Sequence, residues 1–185
     1  METKIIIAGS GGQGILFLGK ALTTAGTFGR KNVTWFPSYG AEMRGGTANC
    51  TVIISDEMIG SPVVLHPDIL VTMNSASLDR FQPMLKKRGL LLYDSSLIRE
   101  PMLRKDIRSV GVPATGIAGE AGSTKSANMV MLGAFIALTG ILDRTAVMAM
   151  FEKGAGGTNA SAAQLNRILF TKGAGFIEDP QGGNS

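Results

Sequence analysis

Residues Lys4 to Gly19 read KIIIAGSGGQGILFLG, and this stretch decides the fold. Ile5, Ile6, Ile7 and Ala8 form a short unbroken apolar run, the pattern of a strand that a parallel sheet buries on both faces. Gly9, Gly11 and Gly14 then fit G-x-G-x-x-G, with Gly12 added, and Ile15, Leu18 and Leu22 return at helical spacing. The chain therefore begins as strand, glycine hinge and helix. Such a hinge lets the backbone adopt angles a Cβ forbids, and it lets an anion approach the unpaired N–H groups at the helix start. A dinucleotide fold adds Asp or Glu about 20 residues later, at the end of the second strand, to hold the ribose. Here the second strand, Val33 to Phe36, runs into Pro37, Ser38 and Tyr39 with no acid. The pattern argues for a doubly wound fold with a phosphate-bearing ligand other than NAD or FAD, and a purely structural glycine turn stays open beside it.

Working outward, strands are expected at 48–55, 68–73, 90–93 and 107–112, and helices at 76–87, 127–139, 144–153 and 160–172. Between the second and third strands lies PSYGAEMRGGT, Pro37 to Thr47, which packs an aromatic, a carboxylate, an arginine and three glycines into one connection. That is more chemistry than a plain turn requires. It reads as a binding or interface loop around Glu42 and Arg44, or as a solvated ion pair. A second glycine-rich entry, Gly116 to Asn128, precedes a helix apolar nearly all round. Such a helix should be central, with Lys125, Ser126 and Asn128 held at its start, where they either meet an anion or simply cap. In the strand 48–55, Asn49, Thr51 and Ile53 share one side and Cys50, Val52 and Ile54 the other, so Cys50 is expected in the core. The lone histidine, His66, sits before a proline and reads as structural.

The 185 residues suit one domain, expected over 1–177 with a flexible tail at 178–185. The alternation of elements predicts an α/β fold: a single Rossmann-like layered domain with a mainly parallel sheet and helices on both faces. Eighteen basic against 14 acidic residues give a net charge of +4. The basic residues cluster only at Lys86, Lys87 and Arg88 and around Arg99, Arg104, Lys105 and Arg108, with no aromatics interleaved for base stacking. A solvated face fits better than nucleic acid, and attraction to an acidic partner or cofactor stays open. One cysteine cannot supply an iron–sulfur cluster or an internal disulfide. No leader pattern and no apolar run of membrane-spanning length is read, so a cytoplasmic protein with no membrane partner is expected.

Three segments together carry a family likeness. GSGGQG at Gly9 to Gly14, YGAEMRGG at Tyr39 to Gly46 and SANMVMLGA at Ser126 to Ala134 resemble the gamma subunit of 2-oxoacid:ferredoxin oxidoreductases, most closely the 2-oxoglutarate enzyme. The resemblance implies a complex of alpha, beta, gamma and ferredoxin-like delta subunits that converts a 2-oxoacid and coenzyme A into acyl-CoA and carbon dioxide while reducing ferredoxin. It implies thiamine diphosphate and iron–sulfur clusters on the partner subunits, no cofactor bound by this chain alone and no catalytic or metal-binding residue on it. It further implies that Gly9, Gly11, Gly12, Gln13 and Gly14 meet a phosphate of coenzyme A or a partner's backbone. Arg44 would approach a phosphate or carboxylate, oriented by Glu42, and Lys125, Ser126 and Asn128 would be further contacts. Pyruvate, branched-chain 2-oxoacids and indolepyruvate are alternative substrates, and a stand-alone nucleotide-binding regulatory domain is an alternative role.

Overall fold

The computed structural model describes residues 1–38, 47–152 and 160–179 of the chain. Six strands make one sheet: β1 (Glu2–Ser10), β2 (Asn32–Ser38), β3 (Thr47–Ser55), β4 (Ile69–Thr72), β5 (Leu90–Asp94) and β6 (Arg108–Val112). Their order across the sheet is β2-β3-β1-β4-β5-β6. β4, β5 and β6 continue parallel to β1 and to one another, and β3 runs antiparallel to both of its neighbours. The sheet is thus mainly parallel, as the sequence predicts, with one reversed strand wedged between β1 and β2.

Strand periodicity sorts the core into two layers. Ile5 and Ile7 join Cys50, Val52, Ile54 and Val71 on one face, while Ile6 and Ala8 join Ile53, Leu70 and Leu91 on the other. The first face is covered by α1 (Ile15–Phe28), α3 (Ala114–Glu120), α4 (Ala127–Thr139), α5 (Arg144–Glu152) and α6 (Ala160–Glu178). The second is covered by α2 (Ser75–Phe81) and by Val64 and Ile98 from the connecting segments. α4 is the hub of the larger layer: every residue from Ala127 to Ile136 is buried, which its uniformly apolar sequence requires. It crosses α6 so closely that a Cβ on Gly173 would lie 2.7 Å from the Val130 carbonyl carbon.

Three helices differ from the sequence reading. The helix expected over 76–87 ends at Phe81, because Pro83 turns the chain into a 3-10 turn over Gln82–Met84 and Leu85 is extended. Lys86 and Lys87 therefore lie beyond it. The stretch expected as a glycine-rich loop contains α3, which buries Ala114 and Ala118 in the core. The last helix does not stop at Lys172 but reaches Glu178, since Gly173 is a packing contact with α4 and not a terminator. The tail at 180–185 lies outside the described residues.

Candidate functional site: the cleft at the carboxyl ends of the parallel strands

In an open α/β sheet, ligands bind beyond the carboxyl ends of the strands, where the direction of winding changes. That place here is the junction of β1 and β4. β1 ends at Ser10, the chain turns through Gly11 and Gly12, and Gly14 starts α1 with φ +71° and no side-chain cap. Gly12, at φ +91°, also needs the left-handed region, whereas Gly9 is small for packing: its Cβ would lie 2.6 Å from Ile15 Cδ1. Gln13 laces the hinge to β4, with Oε1 accepting from Ser10 N at 2.7 Å and Nε2 donating to Met73 O at 2.8 Å. Next to it Asn74 donates to Ser10 Oγ and accepts from Ser77 N at 2.8 Å, which caps α2.

Two more helices begin at the same rim. Asp94, fully buried at the end of β5, accepts from Ser96 N at 3.0 Å and from both the amide and the hydroxyl of Thr115, so it anchors the first turn of α3. The start of α4 has no side-chain cap and no acidic residue in its first turn, and the same holds for α1. α1 therefore presents amides without an intrahelical partner and the positive end of its dipole, whereas α4 continues from a 3-10 turn over Thr124–Ser126, so that the Ala127 N–H already bonds to Thr124 O. Asn128 holds these two starts together, its Nδ2 donating to Gly14 O at 3.2 Å. Between the four segments lies a cleft of about 200 Å³ lined by Gly12, Gln13, Met73, Leu97, Thr115 and Lys125 among others. Its size suits a phosphate or pyrophosphate group and falls below the roughly 300 Å³ at which whole-ligand pockets begin.

The residues singled out in the sequence divide accordingly. Gly12, Gln13 and Lys125 line the cleft. Gly11 is exposed in the turn, and Gly9 and Gly14 form its hinge points. Ser126 has its hydroxyl 3.0 Å from that of Ser123, and Asn128 is buried against Gly14, so both face inward contacts. Glu42 and Arg44 lie outside the described residues. Their flanking strand ends do not: Ser38 closes β2 and Thr47 opens β3 opposite Ser10, both at the hinge end of the sheet. Asp94, with Ser95 and Ser96 at the carboxyl end of the strand 90–93, reads in the sequence either as part of a ligand-contacting loop or as a plain turn, and its partner Thr115 was missed, because only the fold brings α3 onto the carboxylate. Cys50 sits in the core, where burial pushes its thiol up to about 11 against a smaller lowering contribution from Trp35. Among the described residues no cluster of three or more His, Cys, Asp or Glu could hold a metal ion, and no helix is long and apolar enough to cross a membrane.

Comparison with known proteins fits this geometry. Residues 4–176 match the family described as pyruvate ferredoxin/flavodoxin oxidoreductase, and the chain belongs to that family. Within it the chain is of the gamma-subunit type of the 2-oxoacid:ferredoxin oxidoreductases. It is 38% identical to the 2-oxoglutarate synthase subunit KorC of Methanothermobacter thermautotrophicus, with 94% of this chain and 98% of that one covered. Ketoisovalerate oxidoreductase subunit VorA of Methanothermobacter marburgensis is 43% identical, but the match spans only 28% of its length. Among solved structures, the keto/oxoacid ferredoxin oxidoreductase gamma subunit from Geobacter sulfurreducens superposes with a TM-score of 0.81 at 28% identity, covering 95% of this chain and 98% of that one.

Proposed function

We propose that the chain is the gamma subunit of a complex that converts a 2-oxoacid and coenzyme A into acyl-CoA and carbon dioxide, passing the electron pair to ferredoxin, with 2-oxoglutarate as the oxoacid. The observation that carries this reading is the cleft, where the uncapped start of α1 and Lys125 meet at a space the size of a phosphate group. Likeness to KorC along nearly the whole of both chains supports 2-oxoglutarate. The higher identity to VorA over a shorter stretch favours a branched-chain 2-oxoacid as the second reading.

In this reading thiamine diphosphate and the iron–sulfur clusters reside on the partner alpha, beta and delta subunits, and this chain contributes positioning. Holding the nucleotide end of coenzyme A at the hinge restricts the search of its thiol, and such restriction is where intramolecular reactions gain rate. Gln13 and Asn128 brace the hinge through Ser10, Met73 and Gly14, Lys125 neutralises the phosphate, and Arg44, with Glu42 near it in sequence, adds a second cation. The test is steady-state kinetics of the assembled complex with Lys125→Ala and Arg44→Ala. Each is expected to raise KM for coenzyme A by about three- to tenfold, as for a lost charge-assisted contact, with little change in kcat. Unchanged KM for coenzyme A in both variants refutes the site. The ratio of kcat/KM for 2-oxoglutarate and for 3-methyl-2-oxobutanoate decides between the two substrates.

A further inference from the structure

At the opposite end of the sheet, where β5 and β6 begin, two basic clusters far apart in sequence come together. Arg88 N donates to Asp106 O at 2.7 Å and Arg108 N to Gly89 O at 2.9 Å, so the segments 87–89 and 105–108 are zipped edge to edge. They enclose a shallow basin of about 470 Å³ lined by Lys87, Arg88, Lys105, Asp106, Ile107 and Arg108. Its frame is rigid. Arg104 grips Asp106 through Nε and Nη2, at 2.9 and 2.6 Å, and through Nη1 also donates to the carbonyls of Gln82 and Leu85. The guanidinium beside Asp106 holds that carboxyl below its ordinary range.

Arg104 is thus consumed in building the basin, and Lys86 beside it is paired with Asp68 at 2.6 Å. Lys87, Arg88, Lys105 and Arg108 are exposed and, among the described residues, make no salt bridge. With Arg104 and Asp106 counted, the cluster holds five cations and one carboxylate. That excess of four equals the formal net charge of the whole chain, whose other thirteen basic and thirteen acidic residues cancel. Arg88 also holds φ +61°, in the region that favours glycine, so a cation is kept where the backbone would be easier without a side chain.

The character of the basin indicates its occupant. A small-anion site would converge backbone amides or buried donors on one point, whereas these nitrogens ride on long stems around an open depression with no aromatic ring to stack a base. Permanent subunit interfaces are apolar at their centre and depleted in lysine. Charge that is concentrated, exposed and of one sign instead steers partners that arrive and leave. Resting on the function proposed above, where the visiting protein is the electron acceptor, we propose that this basin docks the carboxylate-rich face of an acidic electron carrier of the ferredoxin type. Five residue steps along β5 separate Gly89 at the basin from Asp94 near the cleft, roughly 16 Å at about 3.3 Å per residue, so carrier and coenzyme A are held at once without competing.

The experiment uses the assembled complex with wild-type chain, with Arg88→Gly and with the double change Arg88→Glu, Arg108→Glu. Oxoacid-dependent reduction of ferredoxin and of methyl viologen is followed at rising ionic strength. The expected result at low salt is a KM for ferredoxin raised about threefold by Arg88→Gly and at least about tenfold by the double reversal, both converging on wild type near 0.5 M salt. Arg88→Gly relieves the backbone, so its effect cannot be assigned to misfolding. Viologen turnover and KM for coenzyme A are expected to stay at wild-type values. An unchanged KM for ferredoxin, or a change indifferent to salt, overturns the proposal. Dissociation of the complex or loss of viologen turnover also overturns it, by making the basin a permanent subunit contact. Absence of oxoacid-dependent viologen reduction in the wild-type complex removes the proposed function itself, and this inference with it.

Discussion

Replacing Gly14 by alanine tests the hinge most directly. Gly14 has φ +71°, and an alanine forced into the left-handed region loses about 1–2 kcal/mol. Its Cβ would also stand 2.8 Å from Asn128 Cγ and closer still to Nδ2, so the amide must swing away and give up its bond to Gly14 O. Losing that bond and leaving a buried amide unpaired adds about 1–3 kcal/mol. The single variant should therefore lose about 2–5 kcal/mol, the sum of these two costs. If Asn128 is first changed to alanine, the obstruction is gone and only the backbone cost of about 1–2 kcal/mol remains. The two substitutions should be coupled by about 1–3 kcal/mol in a double-mutant cycle. Urea unfolding, followed through the fluorescence of Trp35, the only tryptophan, measures all four proteins. Additive costs, with coupling below about 0.5 kcal/mol, would show that Asn128 does not brace the hinge.

Asp94→Asn keeps the shape of the carboxylate but halves its accepting capacity, leaving an amide or hydroxyl of α3 unpaired. A loss of about 1.5–3 kcal/mol is expected, read as a lower midpoint in denaturant at unchanged slope. Gly173→Ala drives a methyl group into the Val130 carbonyl across two packed backbones, and at least about 3 kcal/mol should be lost, with soluble expression as the first readout. The Cys50 thiol should resist a disulfide reagent at pH 8 until the chain unfolds, since burial places it near 11. Its folded pKa lies above the ordinary thiol value of 9.0, so the unfolded state loses its proton first as pH rises. This contribution to stability is intact below pH 9 and declines between 9 and 11. Cys50→Ala should remove that decline from a pH series of unfolding midpoints, and an unaltered series would refute the assignment.

The strands and the central helix were legible in the sequence because each combines a strong apolar pattern with clear punctuation. KIIIA before the hinge, the alternation in ANCTVIIS and the unbroken apolar turns after Ser126 each admit one structure. Glycine was ambiguous. At Gly12 and Gly14 it marks a turn, but at Gly116 and Gly119 it lies within α3, and at Gly173 it is the contact surface of two helices. Local composition cannot separate these uses, because the last depends on what crosses in front. The glycine hinge and Lys125 could be placed at the cleft from their positions before two helices, and Asp94 at a strand's carboxyl end, whereas the anchoring role of Asp94 could not be read. Its role depends on Thr115, 21 residues later, and only the folded sheet supplies that neighbour. The reversed direction of β3 was also hidden, since an alternating strand reads the same in either direction.

Wedging β3 next to β1 has a consequence for synthesis. β1 leaves the ribosome before the other five strands of its sheet, yet both strands that flank it, Thr47–Ser55 and Ile69–Thr72, are translated after the whole α1–β2 unit. Until they emerge, the nascent IIIA segment has both of its edges open. Slow translation between residues 10 and 70 should therefore expose a sticky edge for longer, and a nascent-chain chaperone would find its binding site there before the sheet closes.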